Sequence, residues 1–268
     1  LIGVVFQLLI IPFFYFFSYL ISEDERVSFF STICFILSPQ TIYHTSRALA
    51  DMATWSLFLV TLTFSLIEFR KKSINHKRLM LISFMCGICS LMKEHAGSSI
   101  IFINLMYFFC VDYRNTYYRN IKRIFTNTFL FSVPILVNSL IVFQIYEYTI
   151  IDWFIFSREM YGSDGIIEIL ASIKNSFGLF LLPFTYYYRT EILKNSELNI
   201  LLISSLFLFF ISVKTGRFLF LASPIIIPLS ILGINRLLKN SNVENNRRLL
   251  YTSSILFIIL TFNYIIFL

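Results

Sequence analysis

The chain is written as long apolar runs broken by short polar stretches, and the length of each run decides which element it predicts. A helix that crosses a bilayer needs about 20 mostly apolar residues, fewer where it leans on neighbours or continues past a proline. Ten runs qualify on that criterion, approximately Leu1 to Ser22, Val27 to Tyr43, Met52 to Phe69, Leu79 to Met92, Ser98 to Val111, Ile124 to Tyr146, Phe177 to Tyr188, Leu198 to Val213, Phe218 to Leu237 and Leu249 to Leu268. The run from Phe177 to Tyr188 is the weakest and needs flanking residues to span. The pattern predicts an all-α fold, a polytopic transmembrane helical bundle that forms one domain over residues 1–268. Pro224 and Pro228, both inside the ninth run, predict a kink there.

Composition points the same way. The chain is 57% hydrophobic and 18% aromatic with 14% charged residues, and its mean hydropathy is +0.76. Those values are far from a soluble domain of this size. An integral, multi-pass location follows, in the plasma membrane of a prokaryote or the endoplasmic reticulum membrane of a eukaryote. A net charge of +7 would suggest nucleic acid in a soluble protein, but here the basic residues sit in short loops between apolar runs. No basic patch interleaved with aromatics is present, so the expected partners are membrane lipids and not nucleic acid.

The loops alternate in basic content. Those after the first, third, fifth, seventh and ninth runs hold 16 of the 22 Lys and Arg residues, which assigns them to the cytoplasm by the positive-inside rule. The other set holds Arg47, Lys93, Arg158, Lys174, Lys214 and Arg217. Four of these, Arg47, Lys93, Lys214 and Arg217, stand at run ends on the outer side, where topology does not favour them. They suit an anion pocket, or each snorkels singly to lipid headgroups.

The first outer polar break, Pro39-Gln-Thr-Ile-Tyr-His-Thr-Ser-Arg-Ala-Leu-Ala-Asp51, carries His44, Arg47 and Asp51. Ionisable groups at a membrane boundary are costly, so the stretch is a functional candidate with a plain connecting loop as the alternative. Arg47 and Asp51 are four apart and share a face if the segment is helical. The second break, Lys93-Glu94-His95-Ala96-Gly97, is a tight turn whose Lys and Glu either neutralise each other or serve a ligand. The longest outer segment, Glu147 to Ser176, contains a turn at Tyr161–Gly165, with Trp153 and Phe154 read as interfacial anchors and sugar stacking as the alternative.

Other chemistries find little footing. There is no glycine-rich phosphate loop, no Gly-x-Ser-x-Gly elbow and no His pair at metal-binding spacing. His76 lies in a basic loop and reads as solvated. Cys86-Gly-Ile-Cys89 has the letters of a redox pair but no polar flank, and reads as a small buried helix face.

Several of these segments, taken in order, resemble the multi-pass GT-C glycosyltransferases, in particular the protein O-mannosyltransferase and lipid A aminoarabinose transferase-like group. The matching pieces are Leu37-Ser38-Pro39, Arg47 with Asp51, the Met92-Lys93-Glu94-His95 turn, and Lys214-Thr215-Gly216-Arg217-Phe218 leading into Pro224. The resemblance implies transfer of a sugar, mannose-like or another hexose or pentose, from a polyprenyl-phosphate donor to a lipid, protein or glycan acceptor on the outer or luminal face. It implies that Asp51 acts as a catalytic acid of the second outer loop or as ligand to a divalent Mg or Mn ion. Arg47, Lys93, Lys214 and Arg217 would bind the carrier phosphate, with Glu94, His95 and His44 as acceptor contacts or supports. The chain departs from the family at its start. The family's main catalytic acid lies in the first outer loop, and this sequence begins at what corresponds to the second helix, so it reads as lacking the N-terminal helix and that loop. A multi-pass transporter and a noncatalytic membrane protein are the competing expectations.

Overall fold

The computed structural model describes residues 2–46, 50–111, 113–149, 152, 181–211 and 220–267, and every extended element among them is helical. The elements are α1 (Ile2–Ser22), α2 (Glu25–Ile36), α3 (Pro39–Ser46), α4 (Ala50–Arg70), α5 (His76–Ser90), a 3-10 turn (Glu94–Gly97), α6 (Ser99–Phe109), α7 (Tyr113–Tyr146), α8 (Leu182–Tyr187), α9 (Arg189–Lys194), α10 (Ser196–Ile211), α11 (Ser223–Asn240) and α12 (Asn245–Phe267).

Sequence chemistry places the breaks. Glu23 adopts φ 53° after α1, and Asp24 then caps α2 by accepting the N–H groups of Arg26 at 2.8 Å and Val27 at 3.2 Å. A left-handed residue followed by an N-cap reverses the chain in two residues, so α1 and α2 form a tight hairpin. The second apolar run is not one helix as its hydropathy suggests. It ends at Ile36, and Ser38 starts α3 by accepting the Thr41 N–H at 3.3 Å, with Pro39 in the first helical position where its missing N–H costs nothing. Pro224 likewise opens α11 and does not kink it; Pro228 alone lies within that helix. The basic stretch before the sixth run is not a loop, because α7 begins at Tyr113 and runs 34 residues.

Three helices among the described residues are long and apolar enough to cross a membrane: Met52–Arg70, Tyr117–Tyr146 and Phe220–Asn240. This is fewer than the ten runs of the hydropathy pattern. Two features of the structure contribute: the run from Val27 to Tyr43 is divided between α2 and α3, and two others form short helices. Helix α5 has 15 residues and α6 has 11, about 22 Å and 16 Å of rise against the roughly 30 Å of a hydrocarbon core.

The main core lies between α1, α2, α4, α10 and α11. Its centre is a chain of aromatic contacts in which Phe14 stacks on Phe35 at 4.2 Å, Phe35 meets Phe220 at 5.5 Å, and Phe220 meets Trp55 at 3.8 Å. A second cluster joins α5, α6 and α7 around Leu79, Ile103 and Tyr107. Buried hydroxyls are numerous, and most bond the carbonyl one turn back, as Ser31 does to Val27 (2.6 Å), Ser56 to Met52 (2.7 Å) and Thr63 to Leu59 (2.6 Å). Such back-bonding satisfies polar atoms where no water reaches. Helix α7 is the opposite case. It presents apolar side chains outward, with Phe125 70% and Leu140 64% exposed, a surface that water does not tolerate at this extent but lipid does.

Candidate functional site

Among the described residues basic side chains gather at one end of the helices, and their contacts show it. At the basic end Arg70 ion-pairs with Glu197 and donates to the Leu20 carbonyl, tying the ends of α1 and α4 to the start of α10. Glu68, buried at 4% side-chain exposure, pairs with Lys71 and lies 3.8 Å from Arg78 while accepting the Asn75 N–H at 2.9 Å. Asn120 donates to the Val111 carbonyl at 2.9 Å, and Arg123 lies over the Tyr107 ring at 5.8 Å. Loops that the charge pattern groups together therefore do meet at one end.

The candidate residues of the first outer break belong to the other end. Helix α3 carries His44 on its backbone, and Asp51 stands in the first turn of α4; Arg47 lies outside the described residues, as do the side chains of His44 and Asp51. Trp55, one turn after Asp51 and hence on the same helix face, is buried at 2% exposure and packs against Phe220. Phe220 is the third residue after Arg217 in the sequence. Lys214 and Arg217 themselves lie outside the described residues, as do Arg158, Lys174, Trp153, Phe154 and the Tyr161–Gly165 turn. The contact that the structure describes is thus between a residue one turn along α4 from Asp51 and a residue three positions after Arg217.

The Lys93 turn is set differently. The side chain of Glu94 is outside the described set, Lys93 is half-buried, and His95 is 1% exposed with its carbonyl accepting the Ser98 hydroxyl at 2.8 Å. Four residues after His95, Ser99 shares a 2.6 Å hydrogen bond with Thr61 and one of 3.2 Å with Cys86. Thr61 is ten residues along α4 from Asp51, about 15 Å of rise. The turn is therefore anchored to the middle of α4 and not to its end, because α5 and α6 are too short to carry it further. Gly97 makes this seat possible: a Cβ there would lie 2.2 Å from both the Cys86 carbonyl oxygen and the Ser90 hydroxyl.

Among the described residues no group of three or more His, Cys, Asp or Glu side chains is placed to hold a metal ion. The only candidate ligand from the sequence, Asp51, has no described side chain, so the described residues do not by themselves fit a divalent ion. Cys34, Cys86 and Cys89 are free and buried and Cys110 is free and exposed, which agrees with Cys86 and Cys89 acting as small packing residues.

His76 is not the solvated loop residue its surroundings in sequence suggest. It opens α5 half-buried, and its Nδ1 is 2.7 Å from the Tyr107 hydroxyl, 31 residues away. Burial first, and the charge of Arg123 second, hold its pKa below the ordinary imidazole value, against a smaller opposing pull from Glu68. A histidine with a depressed folded pKa contributes stability above its unfolded pKa of about 6.5 and loses it as pH falls through the folded value. Thermal stability of the purified protein should fall between about pH 7 and pH 5, and His76→Gln should flatten part of that fall; an unchanged acid slope in the variant would contradict it. No sequence pattern at that separation announces the pair.

No family model, curated protein or solved structure matches the chain.

Proposed function

We propose that this chain is a multi-pass membrane glycosyltransferase of the GT-C kind that moves a sugar from a polyprenyl-phosphate carrier to an acceptor on the outer or luminal face. The observation that supports the proposal is the Trp55–Phe220 contact, since Trp55 stands one turn along α4 from Asp51 and Phe220 three residues after Arg217. In this reading Arg217, with Arg47 and Lys214, holds the carrier phosphate. Arg suits the task because its planar fork engages two phosphate oxygens, whereas Lys acts as a point charge.

The chemistry is an inverting displacement. A carboxylate removes the proton of the acceptor hydroxyl, the acceptor oxygen forms a bond to the anomeric carbon, and the bond from that carbon to the carrier oxygen breaks with the electron pair leaving on phosphate. Asp51 would contact the acceptor or hold a divalent ion, which would supply positive charge that stabilises the departing phosphate. Lys93, Glu94 and His95 support the site from the deeper turn, with His44 at the mouth.

The depth of that turn is also what favours the second reading, a transporter, because charges on interrupted helices near the midplane are the mark of a conduction path. One assay separates the two. Membranes carrying the full gene product are given a polyprenyl-phosphate donor labelled in its sugar. Label appearing on an acceptor, with carrier phosphate released, is the expected result; sugar accumulating unmodified inside vesicles would replace transfer with transport. The orientation has its own test, in which cysteines placed at Lys72, Arg119 and Arg247 resist an impermeant reagent in intact cells while one at Tyr161 reacts. The reverse pattern would invert the membrane and remove the site from the outer face.

A further inference from the structure

At the basic end, α2, α11 and α12 converge with the α8–α9 junction on a cleft of about 570 Å³. Its mouth is lined by four cations, Arg26, Arg236, Lys239 and Arg248, and two carboxylates, Asp24 and Glu191. Both carboxylates are already engaged: Asp24 caps α2, and Glu191 pairs with Arg236 at 2.9 Å. Arg236 also donates to the Thr190 hydroxyl at 3.0 Å. Among the described residues no ion pair is made by Arg26, Lys239 or Arg248. The cleft therefore holds a surplus of positive charge that nothing else described in the protein neutralises.

Depth adds a second feature. Phe30 follows Arg26 by one turn on α2, Leu232 precedes Arg236 by one turn on α11, and Thr252 follows Arg248 by one turn on α12, all lining the same cleft. Residues four apart share a helix face, so on each helix the charge stands at the mouth and an uncharged side chain lies one turn further in. A soluble anion needs only the mouth. An amphiphile with an anionic head and an apolar tail fits the charged rim with Phe30 and Leu232 beneath it, while on α12 Thr252 donates to Asn235 at 3.1 Å, and basic pockets between helices on the cytoplasmic side are where anionic lipid heads are held.

We propose that this cleft binds a phosphate-monoester headgroup of a membrane lipid, with Arg26, Lys239 and Arg248 as its charge partners. The inference rests on the bundle crossing a bilayer and not on sugar transfer, so either can fail alone. The test uses the full chain in detergent, with short-chain phosphatidic acid titrated by native mass spectrometry, phosphatidylcholine as the neutral comparison and inorganic phosphate as competitor. Saturable binding of phosphatidic acid over phosphatidylcholine, weakened at least about 10-fold by the triple change Arg26→Gln, Lys239→Gln, Arg248→Gln, is expected. The matched double change Lys72→Gln, Lys77→Gln should leave it within about twofold. Full competition by millimolar inorganic phosphate would keep the phosphate site and transfer its source to a soluble ligand. A photoreactive phosphatidic acid mapped on the unmodified protein gives a readout independent of how the triple variant folds. Labelling concentrated on residues 24–30 and 232–252 supports the site; labelling spread evenly over the bundle, or equal binding of the two lipids, overturns it.

Discussion

Arg217→Ala in the full gene product should lower sugar transfer from a polyprenyl-phosphate donor by roughly 10- to 150-fold, the equivalent of losing one charge-assisted contact of about 1.5 to 3 kcal/mol. Lys at this position should recover part of the loss, because it restores the charge without the bidentate fork. Asp51→Asn keeps the size and hydrogen-bonding capacity of the side chain but removes its charge. Its effect should fall on turnover and not on protein level, with a larger loss if the carboxylate also holds an ion. Lys174, in the long outer segment, is the comparison, and its replacement should be nearly silent. Transfer normalised to folded protein is the readout. Wild-type rates in both the Arg217 and the Asp51 variants would remove these residues from the site, whatever the architecture around them.

Gly97→Val should be the most damaging single change to the structure itself. A Cβ at this position would meet the Cys86 carbonyl oxygen at 2.2 Å and the carbonyl carbon at 2.9 Å, and backbone atoms of a helix cannot give way as a side-chain tip can. The whole turn must shift, which strains the Ser99 bonds to Thr61 and Cys86. Overpacking of this kind costs about 1–3 kcal/mol and more where backbone must move. Thermal unfolding of the purified protein should show it, beside Ile88→Val on the exposed face of the same helix as a near-neutral comparison. Gly97→Val with wild-type stability would mean that the turn does not sit against α5 as described. Since the turn carries Lys93 and His95, a surviving Gly97→Val protein should also transfer sugar poorly.

Much of the helical architecture is legible in the residues, because burial and membrane residence both select long apolar runs and caps leave marks such as Asp24 and Ser38-Pro39. The division of those runs is harder to read. A hydropathy window sees Val27 to Tyr43 as one stretch, since nothing in an average records that Ser38 takes the Thr41 N–H and closes a helix. It also takes α5 and α6 for full spans, when the decisive fact is that Gly97 lets the connecting turn dock halfway along α4. The two prolines divide in the same way. Pro228 lies inside α11 as the sequence suggests, whereas Pro224 occupies the first turn, where proline is well suited.

The grouping of basic loops at one end is carried by charge alone and is legible. Their mutual contacts, such as Arg70 with Glu197 across 127 residues, and the cleft framed by Arg26 and Lys239 are products of packing and leave no local trace. For the candidate site, Asp51 stands at a helix start and Phe220 packs on Trp55 one turn further along α4, while Arg217 lies outside the described residues. The Lys93 turn sits beside the middle of α4, a level that helix length sets and that sequence order does not record.

The claim that Asp51 and Arg217 border one carrier-phosphate pocket is tested most directly by cross-linking. In the full protein with its native cysteines replaced by alanine, Asp51→Cys and Arg217→Cys are introduced together and treated in membranes with a short bifunctional maleimide. Glu191→Cys with Arg236→Cys, a half-exposed pair whose side chains meet at 2.9 Å, sets the positive level. The account predicts efficient linkage of positions 51 and 217 that slows when a polyprenyl-phosphate donor is added. Absence of linkage at 51 and 217, with the 191 and 236 pair linking normally, would contradict it.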